Sequence, residues 1–234
     1  MKRLIKRSIL VMALMTPTLS YGQSTTNSIY IDQIGDGSQI TIVQEGQGNQ
    51  IGNRDTDVPV NLQGDGQVVD ITMTGNQNKI NGDIRQSDGS STTVSLTGDN
   101  NNIVYDVGNS GDTGGSTSTL VVEGSSNDMT FNQGKVSSAT NLTQSYTVQG
   151  DLNTIVHNVE TNDVTNTVTV QGDSNQMAIT QNGASGKNID LTLQGSQNNL
   201  TINQTSTLNV DSIKVNSVST GSTIAINQCN AGGC

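Results

Sequence analysis

Tryptophan is absent, phenylalanine occurs once, and aromatic residues make up 2% of the 234 positions. Large buried side chains dominate ordinary globular cores, so this composition argues against a compact enzyme. Proline occurs twice and no Gly-x-y period runs through the chain, which excludes a collagen-like triple helix. Basic residues number 10 against 20 acidic ones and form no stripe, so nucleic acid and anionic lipid are not partners that the charge favours. Histidine is represented once, by His157, which lacks the partner that acid–base chemistry needs. An apolar run is found only at the start of the chain. What the sequence has instead is amide and glycine: 28 Asn, 20 Gln and 26 Gly, together 74 of 234 residues. Such polarity is also a mark of disorder, and the regular placement of the apolar residues is what decides against it.

The first 22 residues read as a secretory signal. Lys2, Arg3, Lys6 and Arg7 form a basic start, and Ser8 to Thr18 is mostly apolar. Ser20 and Gly22 are small residues at a cleavage site that leaves Gln23 as the mature start. The apolar run is shorter than the ~20 residues a membrane span needs. Removing this segment takes four basic residues, leaving six against twenty acidic ones, a net charge of −14.

The mature chain is organised by a repeat. Glycines at 35, 75, 98, 124, 150, 172, 195 and 221 each follow a β-like run, and from Gly75 the spacings are 23, 26, 26, 22, 23 and 26 residues. Three residues after the glycine stands an Asn in six of eight copies: Asn78, Asn101, Asn127, Asn153, Asn175 and Asn198. Ser38 and Ile224 occupy that offset in the other two. Five residues after it all eight are aliphatic or Met: Ile40, Ile80, Ile103, Met129, Ile155, Met177, Leu200 and Ile226.

Alternation within a copy has period two, the strand signature. Around Gly172 the inward set is Asn166, Val168, Val170, Asn175, Met177, Ile179 and Gln181; Thr167, Thr169, Gln171, Gln176, Ala178 and Thr180 point outward. The Gly195 copy repeats this with Leu191, Leu193, Asn198, Leu200, Ile202 and Gln204. Each copy reads as strand, Gly-Asx turn, strand. One such rung buries too little to offset its own backbone entropy and must lean on rungs above and below. Stacking also answers the amide question, because like amides one rung apart can donate and accept in a ladder. The expectation is an all-β chain: a β-solenoid of repeats of about 22–26 residues, eight rungs spaced ~4.8 Å apart.

Residues 27–44, NSIYIDQIGDGSQITIVQ, resemble the curlin repeat of bacterial curli fibres. Gln33, Gly35, Ser38, Ile40 and Gln44 occupy the family's Gln, Gly, Asn, small apolar and Gln positions, with Ser38 in place of Asn. A second, partial match follows in Gln44, Gly46, Asn49 and Ile51. Later copies depart from the pattern: Met73, Leu96, Val122, Val148, Val170 and Leu193 replace the first Gln, and the closing Gln persists as Gln133, Gln181 and Gln204 while Ile84, Val107 and Val159 stand elsewhere. The resemblance implies an exported subunit that stacks into extracellular amyloid fibres for biofilm and surface attachment. Its partners would be copies of itself, a nucleator subunit and an outer-membrane export channel.

Other features are weighed against plainer readings. His157, seven residues after Gly150, falls where other copies carry Ile42, Phe131, Ile179 and Ile202, so it reads as an interior residue. Turn acids Asp36, Asp99, Asp151 and Asp173 raise Ca²⁺, but the nonapeptide calcium motif is missing and Asp is a common turn former; no cofactor is expected. Thr72 with Thr74 and Thr167 with Thr169 are T-x-T pairs of the kind an ice-binding face uses, yet such pairs occur on a minority of rungs. Cys229 and Cys234 are candidates for a local disulfide in an oxidising compartment, with pairing between chains as the alternative.

The organisation expected is a signal at 1–22, a curlin-like repeat at 23–52, a linker or irregular rung at 53–66, the solenoid array at 67–228 and a Cys-containing tail at 229–234. A Gly/Ser-rich loop is expected from Gly108 to Ser118. The function expected is a secreted, non-enzymatic structural protein that assembles end to end. Its rivals are a capped adhesin or phage-associated fibre part, with Ser217 and Ser219 marking a cap, and a polysaccharide-active β-helix, for which the neutral strand faces lack the acids.

Overall fold

Val, Ile, Thr and Leu at alternate positions favour extended chain, and a chain that alternates for seven residues and then meets glycine must turn. The computed structural model of the protein places those turns as corners of a solenoid. It describes Ile29 and residues 32–34, 37–46, 49–52, 61–63, 65–75, 77–83, 89–98, 101–109, 115, 117–124, 126–135, 143–150, 153–159, 164–182, 186–205 and 212–229. The expected signal segment and Cys234 lie outside these residues. Among the described residues every element is a strand.

Strands before the corner form one sheet, here sheet 1, and strands after it form sheet 2. Sheet 1 holds β2 (Gln39–Glu45), β5 (Val68–Thr74), β7 (Ser91–Thr97), β9 (Thr117–Glu123), β11 (Thr143–Gln149), β13 (Thr165–Gln171), β15 (Asn188–Ser196) and β17 (Ser212–Thr220) in that spatial order. Sheet 2 holds β3 (Gln50–Ile51), β6 (Lys79–Asp83), β8 (Asn102–Asn109), β10 (Asp128–Lys135), β12 (Thr154–Val159), β14 (Gln176–Asn182), β16 (Asn199–Thr205) and β18 (Thr223–Cys229). A third, two-stranded sheet pairs β1 (Asp32–Ile34) with β4 (Asn61–Gln63). All pairings are parallel, and each strand pairs with its equivalents in neighbouring repeats rather than with its sequence neighbour. The chain is therefore a β-solenoid of stacked repeats.

The core lies between the two sheets. Val168, Val170, Met177, Ile179, Leu191, Leu193, Leu200 and Ile202 are all buried there, at most 2% exposed. Asn166, Asn175, Gln181, Asn198 and Gln204 share that interior. The outward partners Thr167 and Gln176 are exposed.

Register departs from expectation at both ends. Gly46, not Gly35, is the glycine in line with Gly75: the N–H of Gly46 donates to Thr74 O at 3.0 Å, and that of Lys79 to Asn49 O at 3.1 Å. Gly35 itself lies outside the described residues. Ile40 consequently belongs to sheet 1, where it faces Val69, and Ile51 takes its place in the sheet 2 column. Ser38 sits at the entrance to β2, with its carbonyl accepting from Val68 N–H, and not in the Asn ladder. The physical reason is pairing: with Gly46 at the corner, Ile40 and Ile42 stack on Val69 and Ile71, and all four are buried.

At the far end β17 pairs with β15 over its whole length, Ser196 with Thr220 last, so Gly221 lies two residues past the position in line with Gly195. Ser219 thereby falls in line with Gly195, and Ile224, rather than Ile226, pairs with Leu200; Ile226 pairs with Ile202. The segment expected as a linker at 53–66 contributes β4, whose Leu62 pairs with Gln33. Positions 53–60 are outside the described residues. Since β2 and β3 pair directly with β5 and β6, the curlin-like start and the main array are one continuous stack. Of the loop expected from Gly108 to Ser118, Gly108 and Asn109 close β8 while Thr117 and Ser118 open β9.

Candidate functional site

The repeating geometry of the solenoid lies in its columns and its ends. The corner column is the tightest. Gly124 has φ +159°, and a Cβ placed on it would lie 1.6 Å from Gly98 O. The same collision, at 1.5–1.8 Å, recurs from Gly75 to Gly195. From Gly75 to Gly172 each also donates its N–H to the next rung, Gly124 to Gln149 O at 2.9 Å. Backbone meets backbone here, which is why the period is marked by glycine.

Beside the corner runs the Asn column. Asn101 Nδ2 donates to Asn78 Oδ1 at 2.9 Å and Asn127 Nδ2 to Asn101 Oδ1 at 2.8 Å; Asn153 Nδ2 donates in turn to Asn127 Oδ1. Asn175 Nδ2 then donates the other way, to Asn198 Oδ1 at 2.9 Å and to its own corner at Gly172 O, 2.7 Å. The expected continuous ladder is thus two runs of opposite polarity, and the Oδ1 atoms of Asn153 and Asn175 at their meeting point have no partner. Asn49 occupies the first position, with Nδ2 donating to Thr74 O at 3.1 Å.

The apolar column beside it comprises Ile51, Ile80, Ile103, Met129, Ile155, Met177, Leu200 and Ile224 in successive register. The first seven are at most 2% exposed. His157 stands in register between Phe131 and Ile179.

The glutamines divide. Gln181 Nε2 donates to Gln204 Oε1 at 3.2 Å, and Gln181 Oε1 accepts from Asn166 Nδ2 at 2.9 Å, tying sheet 2 to sheet 1 through the core. Gln133 lies in the same column but between Val107 and Val159, so no amide adjoins it by register. Gln44 does not belong to this column at all. It is in sheet 1, where it faces Met73, because the corner sits at Gly46.

Two features escaped the sequence reading. Lys187 is fully buried, with Nζ donating to Thr205 O at 3.4 Å. Its backbone stacks on the position of Val164 through Asn188, in the column that begins with Ser38, Gln67 and Ser90. Polar residues immediately before several sheet 1 strands (Ser38, Gln67, Ser90 and Lys187) were the available signal, with Val164 breaking the series. Hydroxyl columns also run farther than pairs of T-x-T suggested: Ser91, Thr117, Thr143 and Thr165 are in line, as are Thr93, Thr119, Ser145 and Thr167. Two outward columns of four consecutive sheet 1 strands are thus entirely Ser or Thr, while Val121, Glu123, Gln149 and Gln171 stand in the other two.

Of the turn acids, Asp173 is described. Its Oδ1 accepts from Ser196 N–H and from Ser196 Oγ, both at 2.8 Å, and these bonds hold its pKa below the ordinary 3.8. Asp36, Asp99 and Asp151 lie outside the described residues. Cys229 ends β18 in register with Thr205, and its expected partner Cys234 is outside the described residues.

The ends of the stack differ from its middle. In β17, the edge strand of sheet 1 among the described residues, the inward residues Ile213, Val215 and Ser217 are half-buried. Val218, Ile224 and Ile226 are 63%, 40% and 50% exposed. At the opposite end Ile29 bridges to Ile51 and packs against the core, while β2 is the outermost strand of sheet 1.

No family model, curated protein or solved structure matches the chain. The solenoid therefore rests on its own geometry.

Proposed function

We propose that the chain is an exported, non-enzymatic structural subunit that assembles end to end by rung stacking into extracellular amyloid-type fibres. The observation that carries this reading is a last rung that no other described strand covers. Every column of the core continues in register to β17 and β18 and stops there with Ile224 and Ile226 half exposed. The last strands also leave a row of backbone N–H and C=O groups that templates another parallel strand.

The copy that the rival adhesin reading takes as a cap is a pair of full strands, with Ser217 on the column of Leu193 and Ser219 on that of Gly195. The curlin resemblance supports the same reading, and the stacked register favours its second match: Gly46, Asn49 and Ile51 stand in line with Gly75, Asn78 and Ile80. Surface attachment and biofilm are the roles such fibres would serve, with a nucleator and an export channel as partners beyond the homopolymer.

Purified mature protein should convert to thioflavin-positive fibres with a meridional reflection at ~4.8 Å. Sedimentation as a stable monomer over days, without fibres, overturns the proposal.

A further inference from the structure

One sheet 1 column has a pattern that the monomer does not use. Gln44, Met73, Leu96, Val122, Val148, Val170, Leu193 and Ser217 follow one another in register. Six apolar residues fill the middle, each fully or almost fully buried, and the two polar residues stand at its two ends. Gln44 is 6% exposed, and its Oε1 has no hydrogen-bond partner. A buried amide oxygen left unpaired is costly, so a position that retains one calls for a reason. Ser217 carries the complementary group, a hydroxyl 2.9 Å from Ser219 Oγ on the half-buried inner face of the last strand.

Resting on the assembly reading above, we propose that subunits join in a single register, in which the C-terminal rung of one copy receives the N-terminal rung of the next and Ser217 hydrogen-bonds Gln44 of the incoming copy. The solenoid path fixes which elements meet. In sheet 1 the strand following β17 is β2 of the second copy. In sheet 2 the strand following β18 is then β3, so β18 takes the place beside Ile51 that Ile29 holds within its own chain.

The remaining columns agree with this register. Ile213 lies under Ile40 and Val215 under Ile42, continuing the columns of Ile189 and Leu191. Ile224, 40% exposed in the monomer, comes under Ile51 in the place of Ile29. A shift by one residue turns every side chain to the wrong face. Shifting by two in one direction sets Gln44 over Val215; shifting by two in the other sets Ile42 over Ser217. Either shift leaves a polar group against an aliphatic one, and only the unshifted joint pairs polar with polar and apolar with apolar throughout.

The test reads register directly. Thr41 and Lys214 are outward residues that this joint places opposite each other. Their Cα atoms would be ~4.8 Å apart across the new ladder, within the ~4.4–6.8 Å a disulfide spans. In a Cys229→Ser, Cys234→Ser background, Thr41→Cys with Lys214→Cys should give covalent oligomer ladders when fibres are oxidised. Val43→Cys with Lys214→Cys, offset by two residues, should not. Fibres that link through the offset pair, or through neither, overturn the register while leaving assembly intact. Absence of fibres from the parent chain overturns both. As a second arm, Ser217→Leu should slow seeded elongation by about tenfold or more, since the incoming amide then stays unpaired. Adding Gln44→Met should restore the rate. An unchanged rate in Ser217→Leu removes the Gln44–Ser217 bond from the account.

Discussion

At Gly124 the steric argument is independent of side-chain chemistry. A methyl group there would have to occupy the space of Gly98 O, 1.6 Å away, and the obstacle is backbone held by rungs on both sides. Gly124→Ala is therefore expected to cost more than ~4 kcal/mol, in the range where strained backbone and lost packing combine. Thermal denaturation followed by far-UV circular dichroism checks this. A control at Gly66, whose Cβ would meet nothing within 4 Å, should cost less, limited to the strain of its φ of +64°. A gentler residue effect belongs to Asp173. Its pKa is lowered by the Ser196 N–H first and the Ser196 hydroxyl second. The folded state thus holds the carboxylate more strongly than the unfolded chain does. Its stabilisation is complete above the ordinary value of 3.8 and disappears as pH falls through the lower folded value. NMR titration should place the Asp173 midpoint below 3.8, and Ser196→Ala should move it up toward that value. A wild-type midpoint at or above 3.8 contradicts the geometry.

The strands were legible because two periods coincide: alternation within a strand, and the glycine–Asn–aliphatic offsets between copies. From Gly75 to Gly195 those offsets identify the corner, the Asn column and the six aliphatics from Ile80 to Leu200. The terminal copies were not legible by the same means. Residues 33–51 contain two glycines with suitable flanks, Gly35 and Gly46, and the choice between them comes from burying Ile40 and Ile42 against Val69 and Ile71. In the last copy Ser219 stands where the other copies carry the corner glycine, and Gly221 lies two residues past that line, so glycine no longer marks the offsets. Polarity of the Asn column and burial of Lys187 depend on which groups the next rung offers, which a linear pattern does not record. Rungs as interchangeable units have a testable consequence. Deleting residues 125–150 removes β10 and β11 and joins Gly124 to Asp151, bringing β8 against β12 and β9 against β13. Ile103 then meets Ile155, and Leu120 meets Val168. The shortened chain should fold with unchanged strand content per residue and a lower Tm, as nearest-neighbour stacking requires. Deleting 125–137 alone, half a rung, should abolish cooperative unfolding.

On the scale of the whole molecule, a linear stack has two unlike ends, and a polymer built from it inherits the difference. The end bearing β17 and β18 presents Ile224 and Ile226, half exposed; at the end bearing β2, Gln44 is 6% exposed and Ile29 packs against the core. Ile224→Lys places a charge where the monomer already meets solvent, so monomer circular dichroism and Tm should change little. In a fibre the same position is covered, and an unpaired buried ammonium there is costly. The variant should not polymerise alone. Mixed at low ratio with wild-type protein it should still dock through its intact N-terminal rung onto an exposed β17–β18 end, and then present the lysine to the next arrival. Growth at that end of each fibre should stop while growth at the other continues. Two-colour single-fibre microscopy of seeded elongation distinguishes this from general inhibition. Equal slowing at both ends would mean that the variant acts in solution and not as a one-sided terminator, and the directional stacking mechanism would fail with it.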